Sequence, residues 1–413
     1  MSCCILPQAG GFPEPYIHSM ISSRKTIVFL GDGMADEAMP ELGGRTPLQA
    51  AHKPAMDRMA AEGRSGTLLT LPDGFSTSSD VANMSVLGCD LKTELCGRGP
   101  LEAASQGLEL GPQDVAFRLN LVSVDDAGIL RDYSGGQVSR EDAAAAIASL
   151  NAELGSSKVR FYTGVSYRNL LVLSGPAFNA EVAYDKPDDN QGNAVADHLP
   201  RAKTPDGEPT AALLRELMAR AAVLLRGRTA NAIWPWSGGR AGALHKLTAR
   251  YGITAAVISA VDVINGLGRC MGMDVIRVPG ATGYIDTNYE GKADAALAAI
   301  RTHDFVFVHI EAPDEVSHAQ NLKLKLKVIE DFDARLIGRV MAGVDLNAVT
   351  LAVLPDHPVP LALGRHTRVP VPVAVRRPGW TPDGVQTYDE QACRRGALGA
   401  MQGRQFMDLL FGK

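Results

Sequence analysis

Two apolar runs flanking one long amphipathic stretch constrain this chain most. Residues 304–310 read DFVFVHI and residues 348–354 read AVTLAVL. Both are nearly continuous in apolar character, as in a strand covered on both faces. Between them, over 321–343, Leu322, Leu324, Leu326, Ile329, Phe332, Leu336, Ile337 and Val340 recur at helical spacing. Strand, long helix, strand predicts a parallel sheet with helices on both faces. A third buried strand is expected at 26–31, TIVFLG, ending in the turn Gly31-Asp32-Gly33. A helix is expected over 47–62, opened by Pro47.

The middle of the chain has a different texture. Residues 116–124 and 169–174 read as strands, 140–154 and 210–226 as helices, and 185–209, rich in Asp, Pro and Gly, as loop. After Asn231 the α/β pattern returns with AIWPW and then ITAAVISAVDVI at 253–264. The simplest organisation is a main α/β domain over 20–118 and 227–413, interrupted by a smaller α+β domain at 119–226. Residues 1–19 are expected to be a disordered tail or a mis-assigned start ahead of Met20.

Composition narrows the partners. The chain has 413 residues, 21% of them charged, with a formal net charge of −5. Binding to nucleic acid or anionic lipid leans on clustered Lys and Arg, and no such cluster occurs. Lys323, Lys325 and Lys327 read as one face of the long helix. No apolar run approaches the roughly 18 residues that span a membrane. The six cysteines form no CxxC pair, which suits a reduced, cytoplasmic protein better than a disulfide framework.

Chemistry concentrates just past the expected strands, where α/β sheets place their ligand crevices. Asp32 follows the first strand. Asp314 and His318 follow the second in HIEAPDEVSHAQN, Asp356 and His357 follow the third in LPDHP, and His366 comes nine residues later. Each alone has an ordinary reading, as a turn residue, an exposed helical pair or a surface histidine. The chain has nine histidines, and three of them fall in this set beside acids, a pattern suited to divalent cations. Residues 73–90, DGFSTSSDVANMSVLGCD, place hydroxyls at a loop-to-helix junction. Ser79 there fits a nucleophile stabilised by a helix N-terminus and a cation. Its local sequence equally fits Ser78 or Ser79 as a plain helix cap.

In this order the motifs resemble the alkaline phosphatase superfamily, and within it the archaeal-type cofactor-independent phosphoglycerate mutases. The likeness runs from about 25 to 375 and rests on VFLGDGMADEAMPELGGRTPLQAA, SDVANMSVLGCD, PDEVSHAQN, PDHP and HTRVPVPV. It implies an alkaline-phosphatase-like three-layer α/β sandwich with a mostly parallel sheet. It further implies two divalent ions, Mn²⁺ foremost with Mg²⁺ or Zn²⁺ as alternatives. Asp32, Ser79, Asp356 and His357 would hold one ion, and Asp314, His318 and His366 the other. By the same resemblance Ser79 carries the phosphoryl group between two hydroxyls of a small phosphorylated metabolite, without bisphosphoglycerate, and the inserted domain covers the cleft.

Substrate residues are less marked. Arg168 in GVSYRNLLVL fits the family's substrate-facing position, and Arg240 in PWSGGR offers a Gly-flanked guanidinium. The Arg-rich stretch of many archaeal-type mutases is reduced here to Arg131 and Arg140 around LRDYSGGQVSR. DYSGGQVS, VSYRNLLVL and ATGYIDTNYEGKADAAL resemble a bacterial subgroup proposed to act on homoserine. Interconversion of 3- and 2-phosphoglycerate is therefore the first expectation, and phosphotransfer to homoserine the alternative.

Overall fold

The computed structural model describes residues 25–240, 242 and 244–412. The expectation for 1–19 lies outside these residues. Among the described residues, fifteen strands are interspersed with helices. In chain order they begin with β1 (Thr26–Gly31), β2 (Arg64–Leu69), β3 (Asp114–Val124), β4 (Leu130–Asp132) and β5 (Val159–Val165). Then come β6 (Arg168–Ser174), β7 (Val182–Ala183), β8 (Arg201–Ala202), β9 (Ala232–Gly239) and β10 (Ala255–Ile258). The last are β11 (Asp274–Val275), β12 (Phe305–Ile310), β13 (Thr350–Leu354), β14 (Val371–Arg376) and β15 (Gly399–Gln402).

The main sheet has eight strands in the order β11-β10-β12-β1-β13-β14-β2-β15. The run from β11 to β13 is parallel, and only the pairings of β14 are antiparallel. Alternate residues of each central strand enter different cores, as the period of two requires. Ile27, Phe29, Val306, Val308, Leu351 and Val353 join the helices on one face. Val28, Leu30, Phe305, Phe307, Ala352 and Leu354 join those on the other. Burial on both faces is why these strands read as unbroken apolar runs, and it makes the fold a three-layer α/β sandwich with a mostly parallel sheet.

A second sheet lies between Asp114 and Gly239 in sequence. It is wholly antiparallel, with β3 between β6 and β9, β5 beyond β6, and β4 on the far end of β3. Helices Arg140–Leu154 and Glu208–Leu224 cover one face around Phe117, Leu119 and Leu171. The opposite face, with Ala116, Leu170 and Val172, packs on Ala103 of helix Arg98–Ser105. That helix in turn packs on helix Asp262–Cys270 beside the main sheet. The contact is close: a Cβ on Gly266 would lie 1.7 Å from the Leu101 carbonyl oxygen.

Several local expectations change. The 47–62 helix is two pieces, Pro47–Ala50 and Pro54–Ala61, because Pro54 lacks an N–H and restarts the helix. The 253–264 run is a strand only to Ile258, and a helix starts at Asp262. AIWPW belongs to β9, in the second sheet rather than the main one. Lys325 does not lie on a solvated face. It is fully buried, and its Nζ donates to Asp36 Oδ2 at 2.8 Å and to the Val359 carbonyl at 3.0 Å. This buried ion pair ties the long helix to the loops after β1 and β13.

Candidate metal centre and nucleophile

Strands β10, β12, β1 and β13 are consecutive neighbours, so their carboxyl ends bring four loops to one edge. Three carry the acids and histidines singled out in the sequence. Asp32 leaves β1 fully buried. Gly33 follows at φ +61°, and a Cβ there would meet the Asp314 Cα at 2.7 Å. Glycine thus lets the β1 turn press against helix Ala312–His318, setting Asp32 beside Asp314. The Gly33 N–H donates to Asp356 Oδ1 at 3.1 Å, which joins the β1 and β13 loops.

Asp314 and His318 sit one turn apart on that helix, 3.3 Å from each other. His366 approaches from the loop after β13, its Nε2 3.4 Å from Asp314 Oδ1 and 2.9 Å from His318 Nε2. His318 Nδ1 lies 2.8 Å from the Gly364 carbonyl. That oxygen can only accept, so Nδ1 carries a proton, and Nε2 is the nitrogen that faces Asp314 and His366.

Asp32, Asp356 and His357 form a second cluster. His357 Nε2 lies 3.3 Å from each of Asp32 Oδ1, Asp356 Oδ2 and Ser79 Oγ. The His357 and His366 rings stack with centroids 3.8 Å apart, so the clusters adjoin. Ser79 is the first residue of helix Ser79–Val86, and the cap position is Ser78, whose side chain makes no capping bond. The Ser79 hydroxyl instead faces His357. One turn on, Asn83 Nδ2 donates both to the Ser79 carbonyl at 2.9 Å and to Asp356 Oδ2 at 3.0 Å.

The electrostatics fit cations. Burial first, then Asp356, Glu311 and Asp314, push the Asp32 carboxyl well above its usual range. Burial, with Asp314 adding to it, lifts Asp356 to about 7. Burial also raises Asp314, but contacts with His318 and His366 reverse this and hold it well below normal. Burial and the neighbouring His366 keep His357 neutral. Asp32 Oδ1 and Asp314 Oδ1 are buried without hydrogen-bond partners. The hydrogen bond to Asp314 raises His318 to about 9, so a cation held there would take the place of its proton, and the buried carboxylate oxygens and the neutral His357 ring are further donors that suit divalent cations.

The sequence reading missed His309 and Glu311. His309 Nε2 lies 3.0 Å from Asp32 Oδ2, and Nδ1 lies 3.1 Å from Ser259 Oγ. Glu311 Oε2 lies 3.7 Å from His309 Nε2. Asp32, His309 and Glu311 form a third group with the spacing of metal ligands. Burial and the nearby Lys292 depress His309 to about 3, so its ring is neutral. The available signal was a histidine inside an otherwise apolar strand.

The arginines separate. Arg168, from β6, lines a pocket between the two sheets with Arg98, Arg118, Glu102, Gln106, Val165, Val261, Asp262 and Val263. Burial works against its charge, and Tyr167, Glu102 and Glu315 more than compensate. Glu315, next in sequence to Asp314, lies close enough to act electrostatically on Arg168. Arg240 lies elsewhere, donating to the Pro112 carbonyl at 3.2 Å and to that of Phe178. Arg98 and Arg118 carried no warning in the sequence. Arg118 is an inward polar residue on an alternating strand, paired with Glu102 at 2.5 Å and set over the Trp236 ring.

The family model for the metalloenzyme superfamily matches residues 24–413. The chain is 45% identical over 397 residues to the 2,3-bisphosphoglycerate-independent phosphoglycerate mutase of Methanosarcina acetivorans, covering 94% of this chain and 99% of the relative. Among solved structures, a protein of Pyrococcus horikoshii matches with a TM-score of 0.79 at 27% identity, covering 94% of this chain and 96% of that one. The cofactor-independent phosphoglycerate mutase of Thermoplasma acidophilum matches with a TM-score of 0.63 at 27% identity, covering 93% and 98%. Fold and clustered ligands thus define a member of the metalloenzyme superfamily. Within it, the chain belongs to the family of the 2,3-bisphosphoglycerate-independent phosphoglycerate mutases.

Proposed function

We propose that this chain interconverts 3-phosphoglycerate and 2-phosphoglycerate through a phosphoserine at Ser79. The observation that carries the reading is the Ser79 hydroxyl 3.3 Å from His357 Nε2, where the two ligand clusters meet. Asp32, Ser79, Asp356 and His357 would hold one divalent ion, and Asp314, His318 and His366 the other. When bound, the ions lower the charge on the transferring phosphoryl oxygens and favour the Ser79 alkoxide. The mixed Asp, His and Ser donors suit Mn²⁺ or Zn²⁺ better than Mg²⁺.

The chain's own groups do the positioning. Asn83 and the Gly33 N–H hold Asp356 from opposite sides, and the N-terminus of helix Ser79–Val86 favours negative charge at Ser79. Arg168, with Arg98, offers donors for the substrate's carboxylate. The second sheet and its helices, the inserted unit expected at 119–226, would cover the cleft and keep water from the phosphoserine. Arg240, its donors engaged by carbonyls, serves this reading by fixing β9 rather than by touching substrate. A cytoplasmic setting accords with Cys89, Cys96, Cys270 and Cys393 all being free thiols. Among the described residues no helix is long and apolar enough to cross a membrane.

The test supplies purified protein with Mn²⁺ and 3-phosphoglycerate and couples product to enolase. Turnover that disappears in Ser79→Ala is the expected result. No turnover with Mn²⁺, Zn²⁺ or Mg²⁺, alongside phosphohomoserine formed from homoserine and a phosphoryl donor, would instead favour the homoserine reaction.

A further inference from the structure

A mutase must move protons as well as phosphoryl groups. One substrate oxygen leaves phosphorus and needs a proton, and the adjacent hydroxyl must lose one before it attacks. We infer that Asp262 is the group that makes both transfers; the inference rests on the mutase reading above.

Asp262 occupies the fourth loop on the ligand edge of the sheet. It begins the helix that follows β10, the strand next to β12. Its loop is tied to the metal-ligand cluster through side chains: the Ser259 hydroxyl lies 3.1 Å from His309 Nδ1, whose Nε2 lies 3.0 Å from Asp32. Asp262 also lines the pocket that contains Arg98, Arg118 and Arg168. Proton carrier and anion-binding donors therefore share one small space between the sheets.

The other carboxylate in the pocket fits the task less well. Glu102 is buried and its Oε1 is already taken by the 2.5 Å ion pair with Arg118. Asp262 has no ion pair among the described residues. Its Oδ1 accepts from the Ser105 hydroxyl at 2.9 Å, which orients the carboxyl and, among the described residues, leaves Oδ2 without a hydrogen bond. The arginines divide too. Arg118 is held by Glu102 and by Asn120 at 3.2 Å. Arg98 keeps a buried Nε with no partner, a donor awaiting an anion.

The transfers balance. Ser79, entering as its alkoxide, bonds through Oγ to phosphorus, and the bond from phosphorus to the substrate's carbon-bound oxygen breaks. That oxygen takes the proton from the Asp262 carboxyl, leaving a carboxylate. The neighbouring hydroxyl then gives its proton to that carboxylate as its oxygen bonds to phosphorus, and the bond from phosphorus to Ser79 Oγ breaks. Asp262 and Ser79 finish as they began, and nothing besides the substrate is consumed.

The experiment compares wild type, Asp262→Asn, Asp262→Glu and Ser105→Ala in the enolase-coupled assay across pH, with melting temperature and bound metal measured for each. Asp262→Asn should lose kcat by about 100-fold or more, with KM within about threefold, metal content and melting temperature near wild type, and one limb of the kcat–pH profile gone. Asp262→Glu should recover at least tenfold over Asn. Ser105→Ala removes only the orienting bond and should keep most of the rate with both limbs present. Retention of more than a hundredth of wild-type kcat by Asp262→Asn overturns the inference, as does a loss in Ser105→Ala that matches it. If Asp262→Asn does not fold, the Glu and Ser105→Ala profiles decide: both keeping the wild-type limbs at the wild-type positions overturns it, and a displaced limb in the Glu variant supports it. An active wild type beside an active Asp262→Asn defeats this inference alone; an inactive wild type defeats the mutase reading and this inference together.

Discussion

At the scale of single residues, the carboxylates of the candidate metal centre set a pH dependence with a definite sign. Asp356 is raised to about 7 by burial, with Asp314 adding to it. An ordinary Asp titrates near 3.8. Between those values Asp356 holds its proton more tightly in the metal-free folded chain than in the unfolded one, so its contribution to stability falls as pH rises. A cation must displace the same proton, so its apparent affinity rises over that range, and the His318 proton, held up to about 9 by Asp314, extends the rise beyond pH 7. Chelator-treated protein should melt at a lower temperature at pH 7.5 than at pH 5.5, and added Mn²⁺ should restore more at pH 7.5. Calorimetry at both pH values checks the signs. Asn83→Ala should weaken cation affinity by about 10–100-fold, the range for lost partners of metal ligands, with measurement by metal titration. The acids and histidines were legible because they interrupt apolar strands at their ends. His309 and Arg118 were not, since each lies inside a strand and looks like an ordinary pleat position.

Among the elements, the tight turn after β1 carries the most consequence. Gly33 has positive φ and no room for a Cβ against Asp314. Gly33→Ala should cost on the order of 1–3 kcal/mol and lower metal content, because the wedge pushes Asp32 from Asp314. Denaturant titration and metal analysis on one preparation test both parts. The element pattern was readable where burial on two faces gave long apolar runs, as in β1, β12 and β13. It failed at Pro54, where one periodic stretch is two helices, and at Ile258, where apolar residues continue from strand into helix. β14 was hidden by Pro372, which argues against a sheet interior, yet it pairs on both sides, with β13 and β2.

Over the whole molecule, the centre joins segments from Asp32 to His366, so cation binding should act as a global clamp. At about one hundred times its dissociation constant a cation adds about 2.7 kcal/mol to stability, seen as a higher melting temperature. Amide exchange should slow in the loops after β1, β12 and β13 on adding metal and change little in helix Arg140–Leu154, which packs only in the second core. Asp314, which neighbours β12, and the Asp356 loop would be the most protected. The two-part organisation was legible from the change of texture between the strand runs. The sequence limits of the second sheet were not, since β9 begins in the apolar run AIWPW, which resembles the main strands.

The order of the main sheet also bears on how the chain is made. β1 lies between β12 and β13, with Thr26 opposite Phe305 on one side and Thr350 on the other. A ribosome adding about 5–20 residues per second leaves this apolar strand without either neighbour for on the order of tens of seconds. The second sheet, complete by Gly239, is free to form meanwhile. The nascent polypeptide therefore acquires its second sheet first and closes the candidate cation site last, and chaperone demand should be greatest before residue 354 emerges.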